Sequence, residues 1–253
     1  MDPATGIGMA LAFAFIVIAN VLEGGNPMHM LMLPPMLLVF GGTIGVTIAG
    51  GTMADAKNAV KSIQRAFTGK GETGGDIVPT IVGLADTARK EGLLALEDKL
   101  RTIDDPFLVK GVTMAVDGTD QEELRDILEA EVHAKRVRDK QSAKFFTDAG
   151  GYAPTIGIVG TVLSLVHVLG NLSKPDELGH MIAAAFLATL WGVLSANAMW
   201  LPIAARLKRL SELEVSRMEV IIEGVCAIQS GSNPRIVAQK LRSLLPDDGV
   251  EAA

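Results

Sequence analysis

Four stretches of the sequence lack any Asp, Glu, Lys or Arg, and this segregation of charge constrains the fold more than any other feature. They cover residues 3–22, 24–54, 149–173 and 178–205. About 20 predominantly apolar residues suffice for a helix to span the hydrocarbon core of a bilayer. The sequence therefore predicts four transmembrane helices, at about residues 3–22, 31–51, 151–170 and 180–203.

The predicted spans are too long and too free of charge for the buried helices of a soluble bundle. The chain has 253 residues, of which 49% are hydrophobic and 21% charged, and its mean hydropathy is +0.34. The first span does not resemble a secretory signal, because only Met1 and Asp2 precede it and neither is basic. The predicted fold class is all-α: a polytopic membrane protein with four transmembrane helices and a helical cytoplasmic domain.

The positions of Lys and Arg orient the predicted spans. Of the 23 Lys and Arg residues, only Lys174 lies in the short loop 171–179, and the others lie in residues 52–150 or after span four. Positive charge accumulates on the cytoplasmic flanks of membrane helices, so both of these segments are expected in the cytoplasm. An even number of spans then places the N-terminus and the C-terminus there as well.

The predicted domain organisation follows from these spans. Residues 1–51 form transmembrane helices 1 and 2, residues 52–149 a cytoplasmic helical domain, residues 150–205 transmembrane helices 3 and 4, and residues 206–253 a cytoplasmic helical tail. After the second span, an apolar stripe predicts an amphipathic helix over 55–67, which lies either on the cytoplasmic membrane surface or on protein. The stripe consists of Ala56, Ala59, Val60, Ile63, Ala66 and Phe67, with Lys57, Lys61 and Arg65 elsewhere on the helix.

Signals for soluble enzymes are missing from the sequence. No phosphate-binding glycine loop is followed by Lys and Ser or Thr, and the four histidines stand at no metal-ligand spacing. Cys226 is the one cysteine, so it has no partner for an internal disulfide. The net charge of −6 contains no basic block, which argues against nucleic-acid binding. We expect no catalytic activity, no cofactor and no bound metal.

Small and polar residues recur along one face of each of the last two spans. In span three they are Pro154, Gly157, Thr161, Ser164 and His167, and in span four Ala185, Ala188, Thr189, Gly192, Ser195 and Ala196. Residues three or four apart share a helix face. Such faces allow close helix packing, and hydroxyls along a narrow aqueous path can also replace water around a passing cation. The pattern leaves both interpretations open.

The predicted spans contain no carboxylate, which limits how the chain can handle ions. Proton- or sodium-driven membrane machines normally hold the ion on an acidic side chain. His167 is the only ionisable side chain well inside a span, and it is either part of an ion path or a neutral imidazole near a helix end. If the chain takes part in ion transport, the acid must come from another chain.

Four motifs give the sequence a specific resemblance over nearly its whole length. They are ADTARKEGLLALED (85–98), GGYAPTIGIVGTVLSLVHVLGNL (150–172), AAFLATLWGVLSANAMWLPIA (184–204) and AIQSGSNPRIVAQKLRSLLP (227–246). In this order they resemble the cytoplasmic, third-span, fourth-span and tail motifs of the MotA/PomA family of flagellar stator subunits, which is distantly related to ExbB and TolQ. Four spans with a cytoplasmic segment of about 100 residues between the second and third match the topology of that family.

The resemblance implies a protein of the bacterial cytoplasmic (inner) membrane. Five copies are expected to form a ring around two copies of a single-span partner of the MotB/PomB type. That partner supplies the ion-binding aspartate and a domain that binds the cell wall. Passage of H⁺ or Na⁺ then turns the ring, whose cytoplasmic rim drives the rotor.

The resemblance also implies roles for individual residues at the rotor. Arg89 and Glu97 match charged family positions that contact the rotor protein FliG, and Lys90 and Asp98 match neighbouring charged positions. From the residues alone, these charges would be read as a solvated helix face with weak surface pairs. With the resemblance, they predict electrostatic docking.

A second set of matching residues belongs to the ion path. Pro154 and Pro202 match two prolines that flank it, and Thr161 and Thr189 match threonines that coordinate sodium in sodium-type members. His167 resembles the proton-type members at the same position. The sequence therefore combines features of both types, and the transported ion remains open between protons and sodium.

Three other functions compete with this reading. An ExbB/TolQ-like energiser of outer-membrane processes has three spans in a different arrangement. A non-conducting membrane scaffold would use the small-residue faces for packing alone, and it predicts that Thr161→Ala and Thr189→Ala are harmless. A self-sufficient channel would need an intramembrane carboxylate, which the predicted spans lack.

Overall fold

The computed structural model describes residues 3–173 and 175–245, and these fold into helices without a strand. The helices are α1 (Ala4–Leu22), α2 (Leu33–Ala49), α3 (Met53–Thr68), α4 (Val78–Glu91), α5 (Leu96–Leu100), α6 (Pro106–Val116), α7 (Gln121–Gly170), α8 (Pro175–Ser195), α9 (Leu201–Gln229) and α10 (Pro234–Ser243). Short 3₁₀ turns cover Pro27–Met30, Gly74–Ile77 and Leu93–Ala95. The predicted all-α class is therefore confirmed.

Three helical segments within the described residues are long and apolar enough to cross a bilayer. They are α1, the apolar part of α7, and the segment Glu177–Gln229, in which a π-helical turn at Ala196–Trp200 joins α8 to α9. The predicted second span corresponds to α2, whose 17 residues rise by roughly 25 Å. Because that is shorter than a typical hydrocarbon core, the count of four spans stays a prediction.

Helix α2 starts where its sequence allows a helix to start. Pro34 and Pro35 stand in the first turn, where a proline costs no hydrogen bond because the first N–H groups have no helical partner. A π-helical turn at Leu37–Gly41 interrupts the α-helix. The helix ends before Gly50 and Gly51, and Thr52 then begins the next helix.

The described chain clusters into two compact units. The first contains α1–α3 and residues 139–208, and the second contains residues 71–138 together with those from 209 onward. The cuts at residues 70, 138 and 208 divide the chain by packing. The predicted domain boundaries divide it by the side of the membrane, and they stay predictions.

The core of the first unit forms where α7 meets the π turn and the start of α9. Ala143, Phe146 and Ala153 of α7 are buried, and so are Trp200 and Ile203. The rings of Phe146 and Trp200 stack with their centroids 6.4 Å apart. Alanines around two large rings allow the backbones to approach closely while the rings fill the remaining volume.

Helix α3 packs on the first unit through its small residues. Thr52 and Asp55 form a capping box that fixes its first turn. Ala59, Ser62 and Ala66 are buried at intervals of three and four residues. These positions make one face of the helix.

The predicted apolar stripe on this helix is only partly buried. Val60 is 70% exposed and Ile63 is 38% exposed, whereas Ala59 and Ala66 lie inside. The alanines of the stripe therefore pack on protein, whereas Val60 and Ile63 do not, and the alternative of a membrane surface for the larger side chains stays a prediction. The reason is that close approach to protein favours alanine and serine, so the larger apolar side chains lie on the other side.

An ion pair also fixes α3 on the first unit. The Arg65 guanidinium donates two hydrogen bonds to the Asp139 carboxylate, at 2.6 and 3.2 Å, and Asp139 is buried. A bidentate pair of this kind combines charge with fixed geometry. Arg65 therefore belongs to the packed face of the helix and not to its solvated side.

The second unit has its own apolar core and a charged network beside it. Leu108, Leu128 and Val225 are fully buried within it. On its surface, Glu223 accepts hydrogen bonds from Arg125 at 2.6 Å and from Lys240 at 2.5 Å. The hydrogen bond from Arg125 lowers the pKa of Glu223 most, burial opposes it, and the bond from Lys240 lowers it further. Helices α7, α9 and α10 are thereby tied together.

Candidate functional site

The predicted small-residue faces of α7 and α8 contact each other directly. A Cβ atom placed on Gly157 would lie 2.8 Å from the carbonyl oxygen of Ala188, and one on Gly192 would lie 2.7 Å from that of Ala153. Real Cβ atoms do not approach backbone atoms so closely. These two glycines therefore allow the two backbones to touch, as the packing interpretation requires.

One turn further along α7, two threonine side chains meet across the same contact. The Thr161 and Thr189 hydroxyl oxygens lie 2.5 Å apart, and Thr161 Oγ1 donates to the Ala185 carbonyl at 2.9 Å. A hydroxyl has one hydrogen to donate, so in this arrangement Thr189 donates to Thr161. Both residues are half-buried. The structure thus brings together the two threonines that the sequence assigns to the ion path.

The two prolines of the predicted ion path lie at interruptions of the helical hydrogen-bond pattern. Pro154 stands inside α7 and has no N–H to donate to the carbonyl four residues earlier. Pro202 is the second residue of α9, directly after the π turn Ala196–Trp200. Both are half-buried. Single π turns are frequent at functional sites, and the sequence analysis missed this one, although Pro202 marks its C-terminal side.

His167 does not join the threonine pair. It follows Thr161 by six residues on α7, which is about 9 Å along the helix axis, and its side chain is exposed. Its backbone carbonyl accepts a hydrogen bond from Asn171 Nδ2 at 2.8 Å. Within residues 3–173 and 175–245, no group of three or more His, Cys, Asp or Glu could hold a metal ion.

The four predicted rotor-interface residues lie on either side of one turn. Arg89 and Lys90 stand in the last turn of α4, and Glu97 and Asp98 in the first turn of α5. All four are exposed. Gly92 makes the turn with φ +87°, a conformation that favours glycine. The basic pair lies at a helix C-terminus and the acidic pair at a helix N-terminus, so each also complements the local helix dipole.

Within this turn, most of the exposed charge is not neutralised by neighbours. Lys90 pairs with Asp86 at 2.6 Å, whereas Arg89, Glu97 and Asp98 form no ion pair with any other described residue. An apolar side chain, Leu94, lies between the two charged pairs and is 72% exposed. The exposure of Leu94 does not follow from the sequence, because nothing in two adjacent leucines distinguishes the one that packs inward from the one that points outward.

Residues 99–220 match the MotA/TolQ/ExbB proton channel family. The chain is 39% identical to Motility protein A of Bacillus subtilis over 97% of this chain and 92% of that protein. It is 36% identical to the chemotaxis protein PomA of Vibrio alginolyticus over 97% of this chain and 96% of that one.

A solved structure of C. jejuni MotAB matches 100% of this chain and 99% of its own, with a TM-score of 0.94 and 32% sequence identity. The likeness therefore covers the apolar helices, the charged turn and the described part of the tail alike. The chain belongs to the MotA/PomA family of flagellar motor stator subunits, within the MotA/TolQ/ExbB proton channel family.

Proposed function

We propose that this chain forms the rotating ring of an ion-driven flagellar stator. In this proposal five copies surround two copies of a single-span partner of the MotB/PomB type, which supplies the ion-binding aspartate. The observation that carries it is the match to a MotAB structure along the whole chain. The lack of any Asp or Glu between residues 149 and 173 is consistent with an acid on the partner.

The proposed topology has four transmembrane helices in the bacterial inner membrane. Both termini and the charged segment between α2 and α7 lie in the cytoplasm. The distribution of Lys and Arg supports this orientation. The length of α2 is sufficient if the 3₁₀ turn before it, Pro27–Met30, and the capped start of α3 lie at the two membrane interfaces.

The proposed ion path uses Pro154, Thr161, His167, Thr189 and Pro202. The paired hydroxyls of Thr161 and Thr189 keep lone pairs that can accept hydrogen bonds from hydronium or coordinate sodium near the aspartate of the partner. The prolines and the π turn beside Pro202 weaken the local helical hydrogen-bond ladder, which allows a helix to bend as the ring moves. His167 lies near the end of α7, six residues beyond Thr161.

The proposed rotor interface is the turn that carries Arg89, Lys90, Glu97 and Asp98. Its basic and acidic pairs are presented separately on two helix ends, so a complementary face of FliG can meet both. Exposed charges of this kind steer association and set orientation. The contact should weaken with added salt, because charges more than about 10 Å apart are screened at ordinary ionic strength.

Deletion of the gene in its native host tests the proposal, with swimming and filament assembly scored separately. A stator subunit predicts cells with complete filaments that do not swim and are rescued by the intact gene. Titration of sodium in the rescued cells then identifies the ion. Cells that still swim, in a host with no second stator set, would exclude the proposed role.

A further inference from the structure

One face of α3 carries exposed apolar and basic side chains. Met53 is 66% and Val60 70% exposed. They lie seven residues apart and therefore share a face, and Lys57 lies between them at spacings of four and three. Lys61 follows one turn after Lys57, and both lysines are exposed. This face is opposite the one that Ala59, Ser62 and Ala66 bury.

The two lysines are available for an outside partner. Neither forms an ion pair with another residue of the described ranges, whereas Arg65 of the same helix pairs with the buried Asp139. The helix thus uses one cation to hold itself on the protein and presents two others outward. A lysine can lay its methylene chain along an apolar surface while its ammonium group stays in a polar layer.

The position of α3 in the chain favours a lipid surface as the partner. Only three residues separate the start of the helix from Ala49, the end of α2, and the capping box of Thr52 and Asp55 fixes its first turn. Helix α2 itself presents exposed apolar side chains, among them Leu37 and Ile44. A basic amphipathic helix that directly follows an apolar one is placed at the headgroup level. The cytoplasmic leaflet attracts such lysines because its anionic lipids give it a negative potential.

We propose that the face formed by Met53, Lys57, Val60 and Lys61 binds anionic phospholipid headgroups of the cytoplasmic leaflet. Lys57 and Lys61 bind the phosphate groups, and Met53 and Val60 enter the upper part of the acyl region. This inference rests on the topology proposed above. It adds a ligand, an anionic lipid, at a position fixed relative to α7 by the pair of Arg65 and Asp139.

Native mass spectrometry of the purified full chain in detergent, titrated with phosphatidylglycerol or phosphatidylcholine, tests this inference. The wild type should retain phosphatidylglycerol in preference. The variant Lys57→Gln with Lys61→Gln should bind it about tenfold more weakly. Its matched control is Arg235→Gln with Arg242→Gln, which removes the same charge from two exposed positions of α10 and should leave the preference unchanged.

Two results would overturn the inference. Equal phosphatidylglycerol binding by the wild type and the α3 variant would exclude it, and so would an equal loss in the α10 control. If the α3 variant instead dissociated into smaller oligomers at unchanged lipid affinity, the face would be a contact between copies of the chain. A Lys57→Cys variant in a Cys226→Ser background tests the proposed topology separately. If this variant were labelled from outside the cell, α3 would not be cytoplasmic and the topology would be wrong.

Discussion

Thr161 and Thr189 join hydroxyl to hydroxyl across the contact of α7 and α8, with their oxygens 2.5 Å apart. The pair is close to the two glycines that bring the backbones together, so its geometry is fixed by packing. The small and polar faces of the two helices therefore pack against each other, and their use as an ion path stays a proposal. The glycines allow the helices to pack closely, and the hydroxyl oxygens of the threonines one turn away keep lone pairs that the packing contact does not use.

Removal of either hydroxyl should affect the ion-driven function. Thr161→Ala leaves Thr189 without its acceptor, and Thr189→Ala leaves Thr161 without the donated hydrogen bond. Each should cost about 1–3 kcal/mol of local stability if the group stays unpaired, and each should reduce swimming speed strongly. Thr161→Ser keeps the hydroxyl and should retain most of the speed.

The matched control for these variants is Thr155→Ala, because Thr155 is an exposed threonine of α7 whose hydroxyl bonds only to Tyr152 in its own helix. Normal speed in both Thr161→Ala and Thr189→Ala would favour a scaffold in which these residues only pack.

The contact at Gly157 and Gly192 predicts that a methyl group added at either position destabilises the fold. Gly157→Ala and Gly192→Ala force a methyl group against backbone atoms at 2.8 and 2.7 Å, and overpacking of this kind typically costs about 1–3 kcal/mol. Thermal unfolding in detergent should therefore occur at a lower temperature. Gly151→Ala, on the same helix with nothing within 4 Å of the added methyl, should unfold like the wild type. Equal behaviour of Gly157→Ala and Gly151→Ala would contradict the direct backbone contact.

Reversal of charge at Arg89 should separate assembly from torque. Arg89→Glu reverses one charge at an exposed position, so folding should be unaffected while docking to FliG weakens. The complex should still form in the membrane, but swimming should slow or stop. Binding of purified FliG to the wild type should fall as KCl is added.

The control is Arg242→Glu, which changes the charge by the same amount at an exposed position of α10. Cells that carry this variant should swim normally. Full torque in Arg89→Glu would remove this residue from the interface.

The network around Glu223 predicts a stability that depends on pH. The pKa of Glu223 is lowered in the folded chain from an ordinary value of 4.5, first through the hydrogen bond from Arg125. A carboxyl with a depressed folded pKa stabilises the fold fully above its unfolded pKa and loses that contribution as pH falls through the folded value. As pH is lowered from 4.5, the thermal unfolding temperature of the wild type should therefore fall. It should fall less in Glu223→Gln.

At neutral pH the same variant should be less stable by about 1–2 kcal/mol. Glu219→Gln breaks an exposed pair with Arg136 and should have little effect at any pH. If acid lowered the stability of the two variants equally, Glu223 would not be the group that causes the pH dependence.

The sequence predicted the features of this fold that depend on long patterns. Charge-free runs predicted α1, α2 and the apolar parts of α7 and α8, and the spacing of small residues predicted which faces of α7 and α8 are available for close packing. At the start of α7, the Asp120 carboxylate accepts a hydrogen bond from the Glu122 backbone amide at 2.9 Å, as its sequence position before a helix would allow. These signals are summed over many residues or set by local backbone chemistry, so tertiary context does not reverse them.

The features that the sequence did not predict depend on how one side of a helix meets its neighbours. The π turns at Leu37–Gly41 and Ala196–Trp200 insert a residue to fit packing and have no composition of their own. On α3, hydropathy placed Ala59, Val60 and Ala66 in one stripe, whereas in the structure only the two alanines are buried. Leu94 is exposed, whereas its neighbour Leu96 is buried in the core and Leu93 packs against it.

The direct backbone contact at Gly157 and Gly192 limits which mutations the chain can tolerate. Every amino-acid replacement reachable from a glycine codon by one nucleotide change adds at least a methyl group, so neither position has a neutral neighbour in sequence space. A scan of motility over all single substitutions should therefore show low tolerance at these two positions, which are 35 residues apart in the chain. This holds although neither glycine is proposed to contact a ligand or a partner. Substitutions that preserve motility should therefore fall on the outward faces of both helices and not at Gly157 or Gly192.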